Sequence, residues 1–261
     1  TAVRSQMKVR YNPLRPNRFA YYGATHGRFA GMTSVVTAPK LITSTLACSV
    51  LDPIDQTVRQ LNQFQPEILA GYPSALADLA MKSIGGDLSI QPHYILSAGE
   101  VLTQTNAALI KKAFGFQPVD SYSSSECMNM ALQRSDGPGL SLMEDECIVE
   151  ILGDVNLPVD PGESGRVVLT NLNNRVMPII RYDMRDMVTR GYRKDQEPFE
   201  PIQSIDGRAN DALPIRSATG GRDTIHPLVL SEFFVPGIKK FQFIAKSPEE
   251  IVIRYNASEE M

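Results

Sequence analysis

Strand-like and helix-like segments alternate between residues 67 and 122, and this alternation restricts the fold more than any other feature of the sequence. The segments Glu67–Ala70, His93–Leu96 and Phe116–Val119 are short and apolar, as buried strands are. Helical patterns separate them, at about residues 74–82 and 103–112. Consecutive parallel strands need crossover helices of this length. The sequence therefore predicts an α/β fold, with a parallel sheet and crossover helices.

Capping residues predict where the helices begin and end. Asp52 is expected to cap a first helix that has Pro53 at its first helical position. Ser74 is expected to cap the second helix and Thr103 the third. Gly115 follows two lysines and predicts the end of the third helix.

The pattern changes after residue 139, because no helical periodicity separates the next apolar segments. Cys147–Leu152, Arg166–Thr170 and Met177–Tyr182 are predicted strands of an antiparallel meander or small barrel. Ser204–Arg208 is polar, contains glycine and lies between two apolar segments. It predicts a turn or a hinge.

The C-terminal residues predict the start of a small α+β lid. A turn is expected at 218–221 and a helix around 231–234, and Phe241–Ile244 and Ile251–Tyr255 alternate like strands. Three domains follow: residues 1–139, 140–205 and 206–261.

Composition excludes several kinds of partner. The chain of 261 residues has 26 Lys and Arg against 29 Asp and Glu, with no basic run, so nucleic acid is not an expected partner. Its most apolar region, 35–51, is broken by Pro39 and Lys40, so no membrane span is predicted. The three cysteines have no CxxC spacing and favour a reducing compartment, the cytoplasm.

Three loops are predicted at the carboxyl ends of the parallel strands, where α/β sheets bind ligands. They are Gly71–Ser74, Ser97–Glu100 and Asp120–Glu126. The last loop contains a tyrosine, several serines and two carboxylates, which can stack a base, bind a phosphate and hold a metal. On its own it is more typical of a polar turn, but its convergence with the other two loops favours a binding site.

Other signals are weaker. His26 stands between two glycines just after a strand, where it can face a pocket or solvent. The charges of residues 181–186 are typical of surface ion pairs. The sequence has no GxxxxGK[ST], no strand-linked GxGxxG, no GxSxG and no zinc-ligand spacing.

In this order, the motifs resemble the phenylacetate–coenzyme A ligase branch of the adenylate-forming (acyl- and aryl-CoA synthetase) superfamily. Each motif is weak alone, and the ordered set is fairly specific over about residues 19–255. The matching segments are Leu61–Ser74, Ser97–Glu100, Tyr122–Glu126, Pro178–Asp186 and the hinge-like Ile205–Arg208.

The resemblance implies an enzyme that activates a carboxylic acid with ATP and passes the acyl group to coenzyme A. In the loop of the serines, Tyr122 would stack on adenine, Ser125 would meet the α-phosphate and Glu126 would hold Mg²⁺. Asp120 precedes them as a further nucleotide-binding residue. The segment lining the adenine would be Ser97, Ala98, Gly99 and Glu100.

The resemblance also assigns roles outside these loops. Asp186 would bind both ribose hydroxyls, and Arg208 would approach the nucleotide. His26 and Tyr72 would border the acid pocket. The implied acid is aromatic or aryl-acetic.

Departures from the family pattern lead to further expectations. The family's phosphate loop is expected before Thr1 and its lid lysine after Met261, so the chain is expected to be the central part of a larger enzyme. Ser123 stands where the family has glycine. Ser141 stands where some relatives carry a zinc-binding histidine, so no zinc is expected.

Three other interpretations stay open on the sequence. The enzyme could load a carrier protein instead of coenzyme A. The scaffold could bind an aromatic acid or nucleotide without turnover. The chain could also be an unrelated α/β domain with a β appendage.

Overall fold

The structure is a computed structural model, and it describes most of the chain. The described residues are 14–26, 29–134, 138–195, 197–208, 213–217, 221–225 and 238–257, with residues 12, 230 and 235. The helix expected around 231–234 and most of the turn expected at 218–221 lie outside them.

Five parallel strands form the first half of a large sheet, in the spatial order β2-β1-β3-β4-β5. They are β1 (Asn17–Gly23), β2 (Thr43–Ser49), β3 (Ile68–Gly71), β4 (Tyr94–Ala98) and β5 (Val119–Tyr122). The predicted parallel sheet is confirmed. Sequence reasoning missed β2, and it placed the fifth strand too early, because β5 begins at Val119, where the predicted strand ends.

Four helices cover the two faces of this half. They are α1 (Ala30–Thr37), α2 (Ile54–Phe64), α3 (Pro73–Ile84) and α4 (Gln104–Phe114). Helices α2 to α4 contribute to the main core, in which Leu61, Leu76 and Ile110 are fully buried. Helix α1 packs Val35 on the opposite face, against Tyr21.

The helix ends show which caps are local. Thr103 accepts a hydrogen bond from the Asn106 backbone N–H at 3.1 Å, and Gly115 ends α4 with φ +86°, as predicted. Asp52 does not cap α2, since that helix begins at Ile54 and Pro53 occupies the N-cap position. Ser74 does not cap α3, which begins one residue earlier, at Pro73.

Six antiparallel strands continue the same sheet, in the order β5-β6-β7-β11-β10-β9-β8. Antiparallel pairing was predicted for this half, but the order of the strands was not. They are β6 (Ala131–Gln133), β7 (Leu140–Leu142), β8 (Cys147–Leu152), β9 (Ser164–Asn171), β10 (Tyr182–Arg190) and β11 (Pro201–Arg208). Hydrogen bonds between strands therefore continue across the predicted boundary between the first two domains, at residues 139 and 140. The division into three domains stays a prediction.

Two predictions in this half are wrong. Residues 177–181 are not a strand: Pro178 has no N–H for a ladder, and Ile180 is 72% exposed. Ser204–Arg208 is not a turn, because it forms the end of β11; the alternative of a hinge stays a prediction. A bulge opposite Met187 and Val188 and a positive φ at Gly207 allow the strand to continue, while buried Asp206 accepts hydrogen bonds from three hydroxyls.

The described residues after 212 include two antiparallel hairpins. One joins β12 (Leu213–Arg216) to β13 (Arg222–Ile225), and the other joins β14 (Ile238–Ser247) to β15 (Glu250–Ala257). The second hairpin confirms the two predicted strands. Within the described ranges, no helix is both long and apolar enough to cross a bilayer.

Candidate functional site

An open cleft of about 1210 Å³ runs along one face of the parallel sheet, from the first residues of β1 to β4 to the loops at their carboxyl ends, and reaches β10 and β11. It contains residues of all three loops that the sequence predicts to converge. Nine of the twelve predicted site residues line it: Tyr72, Ala98, Gly99, Glu100, Tyr122, Ser125, Glu126, Asp186 and Arg208.

The loop after β5 is closed by its own hydrogen bonds. The Ser124 backbone N–H donates to the Cys127 carbonyl at 3.0 Å, and the Cys127 N–H donates to Ser124 Oγ at 3.2 Å. From the end of β9, Asn171 Nδ2 donates to the Glu126 carbonyl at 2.7 Å. These contacts hold the backbone, while Ser123, Ser125 and Glu126 line the cleft.

Tyr122 and Arg208 both contact the carboxylate of Asp186. The Tyr122 hydroxyl donates to Asp186 Oδ2 at 2.7 Å, and Arg208 Nε lies 3.3 Å from Asp186 Oδ1. The Asp186 side chain is 14% exposed, whereas that of Arg208 is 70% exposed. Burial, followed by the charge and the hydrogen bond of Asp186, raises the pKa of Tyr122 well above its usual range. The hydroxyl therefore stays protonated and remains a donor.

The pairing of β10 with β11 explains why Asp186 and Arg208 meet. Asp186 stands opposite Arg208 in this antiparallel ladder. Arg185 next to it has φ +57°, and the register of β10 against β9 shifts between Asp183 and Met187. This irregular stretch separates Asp186 from Asp183, which pairs instead with Arg166 at 3.0 Å.

The loop after β4 lies against α3. Gly99 has φ +88°, and a Cβ at this position would lie 2.8 Å from Cε1 of Tyr72. Glu100 Oε2 accepts a hydrogen bond from the Ser74 backbone N–H at 3.2 Å, in the first turn of α3. The cap that the sequence assigns to the Ser74 hydroxyl is thus replaced by a carboxylate from another loop.

Ser97 and Asp120 lie outside the wall of the cleft. They are register partners on β4 and β5, and Ser97 is fully buried. Among the described residues, neither Ser97 Oγ nor Asp120 Oδ1 has a hydrogen-bond partner. Burial raises the pKa of Asp120 to about 7, although a backbone hydrogen bond at Ser121 opposes this change.

His26 also lies outside the cleft wall. It is exposed, and its ring meets the edge of Phe29 with 5.4 Å between centroids. Phe29 lines the cleft, so His26 is adjacent to the site through this contact.

Three carboxylates line the cleft, those of Glu100, Glu126 and Asp186. Across the described ranges, no three His, Cys, Asp or Glu side chains cluster as metal ligands. Mg²⁺ needs no such cluster when it is carried by a phosphorylated substrate, since one or two protein carboxylates then suffice. Of the three, Glu100 accepts from the Ser74 N–H and Asp186 contacts Tyr122 and Arg208, which leaves Glu126 as the candidate for this mode of binding.

Sequence reasoning missed two groups at the site. Asn171 holds the Glu126 carbonyl, but it comes from a distant strand and carries no local signal. Tyr21 lines the cleft beside Tyr72, and its alternation with Phe19 in a strand was the one available signal.

No protein-family model matches the chain. A phenylacetate-coenzyme A ligase of Pseudomonas putida is 30% identical over 186 residues, which are 66% of this chain and 41% of that protein. One of Escherichia coli K12 is 30% identical over 174 residues, 62% of this chain and 39% of that protein. The chain thus spans about two fifths of these relatives.

A solved 2-hydroxyisobutyryl-CoA ligase in the postadenylation state, in complex with R3-HIB-AMP, has the same fold. Its TM-score is 0.76 at 20% identity, over 98% of this chain and 56% of that one. A benzoate CoA ligase of Burkholderia xenovorans has a TM-score of 0.58 at 18% identity, over 81% of this chain and 50% of that one.

Proposed function

The chain is homologous to the phenylacetate–coenzyme A ligase branch of the adenylate-forming enzymes, and we propose that it provides the nucleotide-binding centre of such an enzyme. The intact protein activates a carboxylic acid as its acyl-adenylate, releasing pyrophosphate. It then transfers the acyl group to coenzyme A and releases AMP. The observation that carries the proposal is the cluster of Tyr122, Asp186 and Arg208 at the mouth of the cleft.

The nucleotide is assigned to the half of the cleft bounded by β5, β10 and β11. Asp186 accepts hydrogen bonds from the ribose hydroxyls, and its carboxylate is oriented for this by Tyr122 and Arg208. The Ala98–Glu100 loop borders the base, beside the Tyr122 ring. Ser97 and Asp120 support these loops from behind the sheet.

The phosphates are assigned to the loop after β5. Ser125 lines the cleft with its hydroxyl available for the α-phosphate, and Arg208 adds positive charge on the opposite side. Glu126 holds Mg²⁺ together with the phosphates. When bound there, Mg²⁺ would offset negative charge on the departing pyrophosphate, and the guanidinium of Arg208 would add to this effect.

The acid is assigned to the other half of the cleft, towards β1 and β3. Phe19, Tyr21, Phe29 and Tyr72 line this half, so it offers four aromatic rings among smaller and aliphatic residues. An aromatic or aryl-acetic acid fits walls of this kind. His26 contacts the ring of Phe29, a residue of the pocket, so we assign His26 the role of positioning that ring.

The test is carboxylate-dependent exchange of labelled pyrophosphate into ATP by the intact gene product, across aryl and aliphatic acids. Exchange that depends on Mg²⁺ and on an aryl acid supports the proposal. Adding coenzyme A or a carrier protein then identifies the acceptor. If the protein bound AMP but gave no exchange with any acid, the proposed enzyme would be replaced by a non-catalytic binding protein.

The role of Glu126 is tested by Glu126→Gln. The variant is expected to bind AMP like the parent and to lose at least about tenfold in Mg²⁺-dependent exchange, since the amide is a weaker ligand for a hard cation. Glu144→Gln, at an exposed carboxylate, is the matched control. An exchange rate unchanged in Glu126→Gln would place the metal elsewhere.

A further inference from the structure

Two of the three cysteines are neighbours beneath the wall of the cleft. Cys127 directly follows Glu126, and Cys147 is the first residue of β8. Both are free thiols, buried in the core of the antiparallel half. Their side chains share a hydrogen bond, and their sulfurs lie 3.7 Å and 4.0 Å, respectively, from one oxygen, the Asn129 carbonyl. The proposed activation of the acid does not use this pair.

The two cysteines are held to different extents. Cys147 is anchored, because its N–H donates to the Met143 carbonyl at 3.0 Å and β8 pairs with β9 from this residue onward. Cys127 lies in the loop after β5, where its N–H and its carbonyl both bond to Ser124 of the same loop. If the two sulfurs approach each other, the loop therefore moves and the strand stays in place.

The loop that carries Cys127 belongs to the cleft. Its neighbours Glu126, Met128 and Asn129 line the cleft, so an oxidant that enters the cleft meets this loop. Asn171, which holds the Glu126 carbonyl, stands opposite Cys147 in the ladder of β8 and β9. The backbone of Glu126 is thus connected to both members of the cysteine pair.

We propose that Cys127 and Cys147 form a redox-active dithiol whose disulfide displaces Glu126 and stops activation of the acid. The oxidant is a hydroperoxide. One thiol attacks it, the O–O bond breaks, an alcohol leaves (water in the case of hydrogen peroxide), and a sulfenic acid remains. The other thiol attacks this sulfur, so the S–S bond forms and water leaves. In a reducing compartment such disulfides are transient, which agrees with two free thiols in the resting protein.

The effect on the site rests on the proposed function and follows from distance. A disulfide joins its sulfurs at about 2.05 Å, which is much shorter than the hydrogen bond that it replaces. Cys127 therefore moves towards β8 and takes Glu126 with it. A misplacement of about 1 Å costs about 100-fold in rate. We expect oxidation to lower Mg²⁺-dependent pyrophosphate exchange by about 10- to 100-fold, and dithiothreitol to restore it.

The test treats the intact gene product with hydrogen peroxide and maps its peptides by mass without reduction. Cys127 and Cys147 are expected in one disulfide-linked pair of peptides, while Cys48 stays a free thiol. Cys48 is the internal control, since it is also buried but donates to Gln60 Oε1 and not to another thiol. If Cys127 and Cys147 stay free or are oxidised separately, the inference is overturned. The mapping uses the unaltered protein, so its result does not depend on how well a cysteine variant folds.

Variants connect the disulfide to activity. Cys147→Ser should keep the exchange activity and resist the same peroxide treatment, whereas Cys48→Ser should stay as sensitive as the parent. A parent that forms the disulfide and keeps its full exchange rate overturns this inference and leaves the proposed function standing.

A reduced parent without exchange for any acid overturns the proposed function alone. Amide hydrogen exchange over residues 122–130 then decides whether the disulfide moves the loop. Oxidation should change the protection of the Ser124 and Cys127 N–H groups, because both bond within this loop. Unchanged protection in the disulfide form overturns the inference.

Discussion

Asp120 is a buried carboxyl group with its Oδ1 unpaired among the described residues, and this gives it a pH-dependent effect on stability. Its pKa is about 7 in the folded protein, against about 4 in an unfolded chain. Between these values the folded state binds more protons, so the free energy of unfolding falls as pH rises from 4 to 7. Below pH 4 the group is protonated in both states, so it no longer makes stability depend on pH.

Asp120→Asn should remove this pH dependence. Urea unfolding is measured at pH 4, 6 and 8. As pH rises, the free energy of unfolding of the variant should increase relative to that of the parent by up to about 4 kcal/mol, because each pKa unit corresponds to about 1.4 kcal/mol. Asp154→Asn, at an exposed position, should follow the parent at every pH. A constant difference between Asp120→Asn and the parent would show that Asp120 is ionised normally in the fold.

Asp186→Ala should weaken AMP binding by about 10- to 100-fold, since hydrogen bonds to a charged group contribute about 1.5–3 kcal/mol. Asp183→Ala, three residues earlier in the same strand and paired with Arg166, is the matched control and should bind AMP normally. Equilibrium dialysis with labelled AMP measures both. Equal affinities in the two variants would remove Asp186 from the site.

Site residues were predictable where several functional side chains stand close together in the sequence. They were much less predictable where a contact comes from a distant element. Tyr122, Ser125 and Glu126 stand together in the sequence, and the structure keeps them on one cleft. Asp186 was found through a resemblance, because its charged neighbours are typical of surface ion pairs. Asn171 carries no signal, since its partner is a backbone carbonyl 45 residues away.

At the scale of elements, local capping was predictable and tertiary capping was not. Thr103 and Gly115 act on their own helix, so the sequence locates both ends of α4. The first turn of α3 is instead contacted by Glu100, 26 residues further along the chain. Strand β2 was missed because proline, lysine and threonine interrupt its region, while its parallel pairing with β1 is a long-range property.

Thr103→Ala should therefore destabilise the protein by about 1 kcal/mol, the usual cost of losing an N-cap. Thr103→Ser keeps the accepting hydroxyl and should cost at most a few tenths of that. Thermal unfolding compares the two. Equal stability of the alanine and serine variants would show that the hydrogen bond to Asn106 N–H contributes nothing.

At the scale of the whole molecule, one sheet joins two cores through a narrow connection. The parallel half has one buried cluster and the antiparallel half has another, to which strands β6 and β7, each three residues long, contribute. A small cluster reinforces the connection, with Leu132 and Met143 packed against Leu96 and Val119. The change from parallel to antiparallel pairing was predictable from the loss of helical periodicity, whereas the continuity of the sheet was not.

Leu132→Ala should uncouple the two cores. Cys48 belongs to the first core, and Cys127 and Cys147 belong to the second, so pulsed thiol labelling in urea reports on each. In the parent the three thiols should react at one urea concentration. In the variant, which loses roughly 3 kcal/mol at the connection, the labelling midpoints should separate.

Leu61→Ala is the control for this experiment, since it removes a fully buried leucine from the first core and leaves the connection intact. In this variant the labelling midpoints of the three thiols should move together to a lower urea concentration. A single midpoint in Leu132→Ala would mean that the strands alone, without the Leu132 cluster, couple the two halves.

The pairing of Asp186 with Tyr122 and Arg208 also bears on which sugar the site would prefer. A carboxylate has about four acceptor positions, and two of those on Asp186 are already used by its own neighbours. The two that remain match a vicinal diol. A 2′-deoxynucleotide would leave one of them unfilled in a partly buried setting, so the same two contacts that hold the carboxylate still would also make the cleft selective for ribonucleotides.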